Sequence, residues 1–215
     1  VAPIDCLIEA LRAKGMNPLP LFGASLKETE TAAIVADFLV RADVDVILNM
    51  TSFAVSDPSR MVGAAPVDDQ DIMRSVGPFG AVDAPVFQLV LASSQQADWQ
   101  TSTAGLIARD LAMNVALPEL DGRILTRAVG FKKPLTKDPV THAMTTSYVP
   151  ADDRAVFVAD LVGRWCRLRH LPNADKKIGF VLANYPNKDG RIANGVGLDT
   201  PQSVLDSLVS LQAAG

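Results

Sequence analysis

The sequence has few of the residues that usually form a metal or redox centre. It contains two cysteines and two histidines in 215 residues, and neither pair has the spacing of a CxxC or HExxH motif. Cys6 and Cys166 lie in segments with helical spacing, where a cysteine usually serves as a small buried hydrophobe. We therefore expect no preformed zinc site, and a reducing, cytoplasmic location fits this composition.

Further absences exclude whole classes of function. The chain has no GxxxxGK[ST] loop and no GxSxG elbow, and its single GxG, in NGVG, is too little for a dinucleotide fingerprint. No apolar run approaches the roughly 20 residues that span a bilayer. The net charge of −4 argues against nucleic acid as the main partner. Any ATP hydrolysis must therefore belong to a partner. We expect that this protein binds neither a membrane nor a nucleic acid.

What the sequence does contain is an alternation of helix and strand patterns. The sequence pattern predicts helices over residues 4–14, 27–41, 95–101 and 153–168, while short apolar runs predict strands over residues 18–22, 44–50 and 84–91. Such alternation is typical of an α/β fold, with a parallel sheet and helices on its faces. We expect a Rossmann-like or flavodoxin-like arrangement.

The predicted domain organisation follows from where this alternation fades. Residues 1–131 form one α/β unit, which includes extended structure over residues 117–129. Residues 132–149 are a linker or irregular segment, because lysines and prolines replace the periodic pattern. Residues 150–215 begin a second α/β unit, and the abrupt start of the chain on a helix predicts an internal fragment of a larger multidomain subunit.

The second unit contains the most distinctive stretch of the chain. A predicted strand over residues 178–183 leads into a glycine-rich loop, residues 184–199, and then into a helix over residues 202–213. Ligands of parallel sheets bind beyond the carboxyl ends of the strands, where loop backbone and helix N-termini are presented. The same composition also fits an ordinary connection from a strand to a helix. The candidate ligand-binding residues of this loop are Asn184, Lys188, Asp189, Arg191, Asn194 and Gly195.

A second candidate site is the segment PELDGR at residues 118–123, which places Glu119 and Asp121 two residues apart. If the segment is extended, both carboxylates point to one face, because side chains alternate along a strand. Neighbouring carboxylates of this kind can provide a proton acceptor. The Pro-Glu and Asp-Gly pairs also fit a turn without catalytic role, and spacing alone favours that interpretation.

Two motifs resemble those of a known family. The run NYPNKDGRIANGVGLDTPQSV, together with LAMNVALPELDGRI at residues 111–124, resembles the large subunit of aerobic cobaltochelatase and, more distantly, the porphyrin-binding subunit of magnesium chelatase. Weaker similarities occur at residues 17–27 and 45–56. The resemblance spans nearly the whole chain, although the subunits of that family are several-fold longer.

The resemblance implies an ATP-dependent metal chelatase that inserts Co²⁺ into the metal-free corrin hydrogenobyrinic acid a,c-diamide during aerobic cobalamin synthesis. Co²⁺ is then a substrate, while ATP and Mg²⁺ bind to separate AAA-type ATPase subunits. Metal insertion must remove protons from pyrrole nitrogens, so the resemblance makes Glu119 the first candidate for the proton acceptor and transient metal ligand, with Asp121 second. Arg123 joins the basic residues of the loop as a candidate ligand of substrate carboxylates.

Other interpretations of the same residues stay open. His142 lies in a polar segment and is a candidate carrier of the metal or a proton, but it also fits an ordinary surface loop. Alternative functions are a magnesium chelatase acting on a porphyrin, and a non-catalytic α/β module that binds a tetrapyrrole or another small ligand.

Overall fold

A four-stranded sheet organises the first part of the chain. The structure is a computed structural model that describes residues 1–56, 77–182 and 197–215, and it divides into two compact units, Val1–Cys166 and Arg167–Gly215. The strands are β1 (Ile47–Asn49), β2 (Val86–Ala92), β3 (Ile124–Lys132), β4 (Thr136–Lys137), β5 (Met144–Thr145) and β6 (Tyr148–Pro150).

Six α-helices among the described residues begin in this first unit. A 3₁₀ turn at Pro78–Ala81 precedes β2, and a π-helical turn at Ala112–Ala116 joins the fourth helix to the fifth without a break. The helices are α1 (Ala2–Ala13), α2 (Thr29–Ala42), α3 (Gln96–Thr101), α4 (Ala108–Leu111), α5 (Leu117–Glu119) and α6 (Asp152–His170).

The main sheet is mostly parallel, with strand order β1-β2-β3-β6. The pairs β1–β2 and β2–β3 are parallel, and β6 joins β3 in antiparallel orientation. The short strands β4 and β5 form a separate antiparallel pair. The predicted α/β class, with a largely parallel sheet and flanking helices, is therefore confirmed.

The core lies on both faces of this sheet. On one face, α1 and α6 cover the sheet: Leu7 and Leu11 of α1 and Val158 of α6 pack with Phe87 and Leu89 of β2. The opposite face carries a smaller cluster, in which Trp99 of α3 and Leu106 pack against Val90, Ala92, Ala128, Phe131 and Ala151. A sheet with apolar side chains on both faces must be covered on both, as in other α/β folds.

Gly130 of β3 marks the closest approach of α1 to the sheet. A Cβ atom at this position would lie 2.8 Å from Pro3 Cγ and 2.9 Å from Leu91 Cδ2, so an alanine would force the helix or the strand to move. We expect Gly130→Ala to lower the free energy of unfolding by about 1–3 kcal/mol.

Urea unfolding followed by tryptophan fluorescence measures this effect, since both tryptophans, Trp99 and Trp165, lie in the first unit. Gly179→Ala is the matched control, because a Cβ at Gly179 meets nothing within 4 Å. Equal stability of the two variants would contradict the close approach of α1.

Most predicted helices and three predicted strands are present. The helices predicted over 4–14, 27–41, 95–101 and 153–168 correspond to α1, α2, α3 and α6, and the strands predicted over 44–50 and 84–91 correspond to β1 and β2. Extended structure predicted over 117–129 is correct only in its second half, as β3.

Two strand predictions are wrong within the described residues. Residues 18–22 and 178–182 form no regular structure, and Phe22 and Val181 are 101% and 97% exposed. Neither segment pairs with another described strand, and a strand is not stable without a neighbour. The last residue of the second prediction, 183, lies outside the described residues.

The segment predicted as a linker, residues 132–149, contains β4, β5 and the start of β6. Because β6 pairs with β3 and leads into α6, which covers the sheet, the first compact unit continues to Cys166. The division between units therefore lies later along the chain than the predicted linker.

The second unit contains the end of α6, a 3₁₀ turn at Asn173–Asp175 and helix α7 (Thr200–Ala214). Asp199 caps α7 by accepting a hydrogen bond from the Gln202 N–H at 3.1 Å, with Pro201 in the first turn. Asn173 Nδ2 donates to the Ala214 carbonyl at 2.9 Å, which ties the end of α7 to the 3₁₀ turn.

Candidate functional site

A buried polar network lies on the face of the sheet opposite α1. Asn49 ends β1 and Gln88 lies within β2, and both side chains are buried. Asn49 Nδ2 donates to Gln88 Oε1 at 2.7 Å, and Gln88 Nε2 donates to the Thr51 carbonyl at 3.1 Å. These bonds satisfy polar groups that would otherwise be costly to bury.

The network continues into an ion pair between Asp121 and Arg123. Arg123 Nη2 lies 2.6 Å from Asp121 Oδ2, and the exposed fractions of the Arg123 and Asp121 side chains are 0% and 1%. Arg123 Nη1 also donates to Gln88 Oε1 at 3.1 Å. A buried charge of this kind persists only when it is paired and hydrogen-bonded.

The acceptor positions of the Asp121 carboxylate are fully used. The backbone N–H groups of Val55 and Ser56 donate to Oδ2 and Oδ1 at 2.7 and 3.0 Å, and the Ser56 hydroxyl donates to Oδ1. With Arg123 on Oδ2, each oxygen accepts two bonds, and a carboxylate offers about four lone-pair positions. Asp121 therefore fixes the loop at residues 55–56 and has no position left for a proton or a metal.

The loop that follows β1, residues 50–56, is also fastened to the π-helical turn. The Ser52 hydroxyl donates to Asn114 Oδ1 at 2.7 Å, and the Phe53 N–H donates to the Met113 carbonyl at 2.8 Å. Phe53 adopts a left-handed conformation with φ of 68°, which is strained for a bulky residue. Its side chain is half exposed.

The π turn has a physical cause in the sequence. Pro118 has no N–H group to donate to the Asn114 carbonyl four residues earlier, and its ring would clash with that carbonyl in a regular α-helix. The wider π turn at Ala112–Ala116 relieves this clash. Turns of this type often occur at functional sites, and here the turn aims Asn114 at the loop after β1.

The electrostatics of Arg123 reflect its enclosure. Burial lowers the pKa of the Arg123 guanidinium below its usual value, and the charge and hydrogen bond of Asp121 oppose that shift. The guanidinium also lies 5.4 Å from the centre of the Phe79 ring. Its Nε atom is buried without a hydrogen-bond partner among the described residues. Arg123 is enclosed on every side, so it supports the loop and does not offer the predicted fork to a substrate carboxylate.

Glu119 has a different environment from Asp121. It is the last residue of α5, and its side chain is exposed. The Gly122 N–H donates to the Glu119 carbonyl at 2.9 Å, which places Glu119 and Asp121 in one turn. The alternative in which an extended segment places both carboxylates on one face does not hold, because α5 extends through Glu119 and β3 begins at Ile124. The segment forms a turn, which is the interpretation that the spacing favoured. Among the described residues, no hydrogen bond or ion pair engages the Glu119 carboxylate.

Of the remaining predicted site residues, the structure describes His142. His142 lies exposed between β4 and β5, with φ of 57°, and its N–H donates to the Asp138 carbonyl at 3.0 Å. Within residues 1–56, 77–182 and 197–215, no group of three or more His, Cys, Asp or Glu side chains is arranged to hold a metal ion. Six predicted binding residues lie outside the described residues: Asn184, Lys188, Asp189, Arg191, Asn194 and Gly195.

Both cysteines are poor candidates for metal binding or redox chemistry. Burial raises the pKa of the Cys6 thiol to about 11, with further contributions from the hydrogen bond and charge of Asp152 and the charge of Glu9. Burial and the charge of Asp45 raise the pKa of Cys166. Thiolate is the form that binds metals and reacts, so both side chains stay protonated near neutral pH and pack beside the core.

Several buried polar residues of the first unit were not predicted from the sequence. Asn49, Gln88 and Asn114 hold the loop after β1, and Asp110 accepts bonds from the Ser93 N–H and hydroxyl at 2.7 and 2.6 Å at the end of β2. A signal was available, because VILNM and VFQLVL each interrupt an apolar strand with one amide side chain. A polar residue in a buried strand indicates a hydrogen-bonded network or a functional site, whereas an exposed polar residue indicates neither.

The fold and the network define an α/β unit whose loops after the strands are fixed by buried charges and amides. A sequence profile of the family described as CobN/Magnesium Chelatase matches residues 1–215. The chain belongs to this family. Among the residues that the structure describes, no helix is long and apolar enough to cross a bilayer.

Individual relatives give the same assignment. The chain is 42% identical to the aerobic cobaltochelatase subunit CobN of Sinorhizobium sp. over 99% of its length and 44% identical to that of Pseudomonas aeruginosa over 96%. It is 27% identical to a magnesium-chelatase subunit of Rhodobacter capsulatus. The chain spans 16% of the length of the two cobaltochelatase relatives and 18% of the magnesium-chelatase subunit.

A solved structure supports the fold. The catalytic subunit of cobaltochelatase from Mycobacterium tuberculosis matches all of this chain with a TM-score of 0.74 and 30% sequence identity. The match covers 17% of that larger chain. The same architecture therefore occurs within a much longer polypeptide.

Proposed function

We propose that this chain is part of the large, tetrapyrrole-binding subunit of an ATP-dependent cobaltochelatase. The reaction would insert Co²⁺ into hydrogenobyrinic acid a,c-diamide in aerobic cobalamin synthesis. One observation carries the choice of metal: identity to two cobaltochelatase subunits is 42% and 44%, against 27% to a magnesium-chelatase subunit, each over nearly the whole chain.

Glu119 is the residue that we assign to proton transfer. When Co²⁺ enters the macrocycle, bonds form between the metal and the pyrrole nitrogens, and N–H protons must leave to an acceptor. An exposed carboxylate can take such a proton and can also contact an incoming divalent cation. Asp121 and Arg123 act as positioning residues, because their contacts hold the loop at residues 50–56 beside the turn that carries Glu119.

The other parts of the proposed site keep the roles that the family resemblance implies. The glycine-rich loop and its polar residues would contact the tetrapyrrole, and His142 is a candidate carrier of Co²⁺. AAA-type partner subunits would bind ATP and Mg²⁺ and hydrolyse the nucleotide, since no P-loop occurs in this sequence. We place the reaction in the cytoplasm.

Metal insertion by the full-length subunit tests this proposal. The subunit is combined with its ATPase partners, and insertion of Co²⁺ into hydrogenobyrinic acid a,c-diamide is followed by absorbance. Insertion of Mg²⁺ into protoporphyrin is measured in a parallel assay. We expect ATP-dependent cobalt insertion and at least a roughly tenfold lower rate with the magnesium and porphyrin pair, since specificity ratios reflect differences in transition-state binding.

Each alternative predicts a different result in the same assay. Preferential formation of magnesium porphyrin would identify a magnesium chelatase and overturn the choice of metal. Tight binding of a tetrapyrrole without insertion of either metal, with active partners present, would identify a non-catalytic binding module. Reactions without ATP and reactions without the partners are the controls.

A further inference from the structure

A second feature on the same face of the sheet is a cleft beside the buried network. It has a volume of about 270 Å³ and is open on one side. Strands β2 and β3 form its floor, while α3 and the segment that follows it form a wall. The lining residues used below are Trp99, Leu106, Leu125, Arg127 and Arg154.

Two arginines, Arg127 and Arg154, and no acidic residue line the cleft. Neither arginine forms a salt bridge with another residue in the part of the chain that the structure describes. Arg154 Nη1 donates to the Ala128 carbonyl at a long 3.4 Å, and a guanidinium has five N–H donors. Most donors are therefore available to a ligand.

Aromatic rings hold both guanidinium groups in place. Arg154 Cζ lies 4.1 Å from the centre of the Trp99 ring, and Arg127 Cζ lies 3.6 Å from that of Phe157. Stacking of this kind fixes the plane of a guanidinium and leaves its edge free to donate. A planar carboxylate accepts two parallel hydrogen bonds from such an edge.

The size of the cleft limits what it can hold. Sites for whole small molecules usually measure about 300–1,000 Å³, so a cleft of about 270 Å³ fits a side arm better than a macrocycle. Its apolar walls, Leu106, Leu125 and Trp99, suit the methylene part of such an arm.

We infer that the Arg127–Arg154 cleft binds a carboxylate side arm of the tetrapyrrole substrate. This inference rests on the proposed function, because it takes the ligand from it. The cleft adjoins the network: the Thr126 hydroxyl of its floor donates to the Gln88 carbonyl at 2.8 Å, and the Gln88 side chain contacts Arg123. A substrate arm bound in the cleft would therefore lie beside the buried network.

The test compares two ligands on the full-length subunit. Binding of hydrogenobyrinic acid a,c-diamide and of its fully methyl-esterified derivative is measured by fluorescence quenching, for wild type and for Arg127→Gln and Arg154→Gln. We expect each substitution to weaken binding of the free acid about tenfold or more, because charge-assisted hydrogen bonds are lost. Binding of the ester, which carries no carboxylate, is expected to change less than about twofold in the same variants.

Two controls separate binding from folding. Arg41→Gln also removes an arginine that lies over a phenylalanine ring, Phe38, but it is remote in sequence and does not line the cleft, so both ligands should bind as in wild type. Arg154→Lys keeps the positive charge but loses the paired N–H donors of the guanidinium. It should therefore bind the free acid more tightly than Arg154→Gln and less tightly than wild type. Melting temperatures of all variants are measured alongside.

The outcomes are distinguishable. If wild type binds the free acid and the arginine variants bind both ligands like wild type, or lose both equally, the cleft is not a carboxylate subsite although the proposed function stands. A lower melting temperature with unchanged binding would indicate that a protein segment fills the cleft, which also overturns the inference. If wild type binds neither ligand, the proposed function fails and the inference fails with it.

Discussion

Replacing Glu119 with glutamine is expected to lower the rate of cobalt insertion by about 100- to 10,000-fold, which is the usual contribution of a general base. Glutamine has nearly the same shape but cannot accept a proton from a pyrrole nitrogen at neutral pH. Since the side chain is exposed and lies at the end of α5, the substitution should leave the fold and the affinity for the tetrapyrrole unchanged. Insertion rates and binding titrations of the full-length subunit measure both quantities.

Two further variants make the result specific. Glu30→Gln removes another exposed helical glutamate, in the first turn of α2, and should insert cobalt at the wild-type rate. Glu119→Asp keeps a carboxylate on a shorter side chain and should fall between wild type and Glu119→Gln. An unchanged rate in Glu119→Gln would show that another group accepts the proton.

The second large effect is on stability. Asp121→Asn leaves the Arg123 guanidinium buried without its counter-ion, and removing one partner of a buried pair typically costs about 3–5 kcal/mol in the free energy of unfolding. The substitution also weakens the bonds from Val55, Ser56 and the Ser56 hydroxyl, so the loop after β1 should loosen. Urea unfolding followed by tryptophan fluorescence measures the loss.

A double variant and an exposed pair serve as controls. Asp121→Asn combined with Arg123→Met removes both charges and should recover much of the lost stability, because no unpaired charge stays buried. Asp37→Asn breaks the exposed ion pair with Arg41, and it should cost less than about 1 kcal/mol. A loss of similar size in Asp121→Asn and Asp37→Asn would contradict the enclosure of the Asp121–Arg123 pair.

Much of the fold could be predicted because its signals are local. The spacing of apolar residues in α1, α2 and α6 follows the helical repeat, and each helix buries the predicted stripe, as Leu7 and Leu11 do in α1. The apolar runs of β1 and β2 are short and include β-branched and aromatic residues such as Ile47, Val86 and Phe87, and they pair as expected. The α/β class follows from their alternation.

The two failed strand predictions share one cause. An apolar run indicates burial or a strand, but a strand forms only where another strand offers free backbone groups. Residues 18–22 and 178–182 have the composition of strands and no described neighbour to pair with. The prediction around Pro118 failed for another reason. The segment is helical and accommodates the proline through a π turn, which the spacing of apolar residues does not indicate.

The sequence by itself determined the family and the positions of the longer helices, α1, α2, α6 and α7, because both are written in contiguous residues: PELDGR, the glycine-rich run and the repeated apolar stripes. Only the tertiary structure separated Glu119 from Asp121. Two residues apart in sequence, they differ because Val55, Ser56 and Arg123 meet at one carboxylate and leave the other in solvent. Burial and hydrogen bonding decide what a carboxylate can do, and the loop that binds Asp121 lies about 65 residues before it in the sequence.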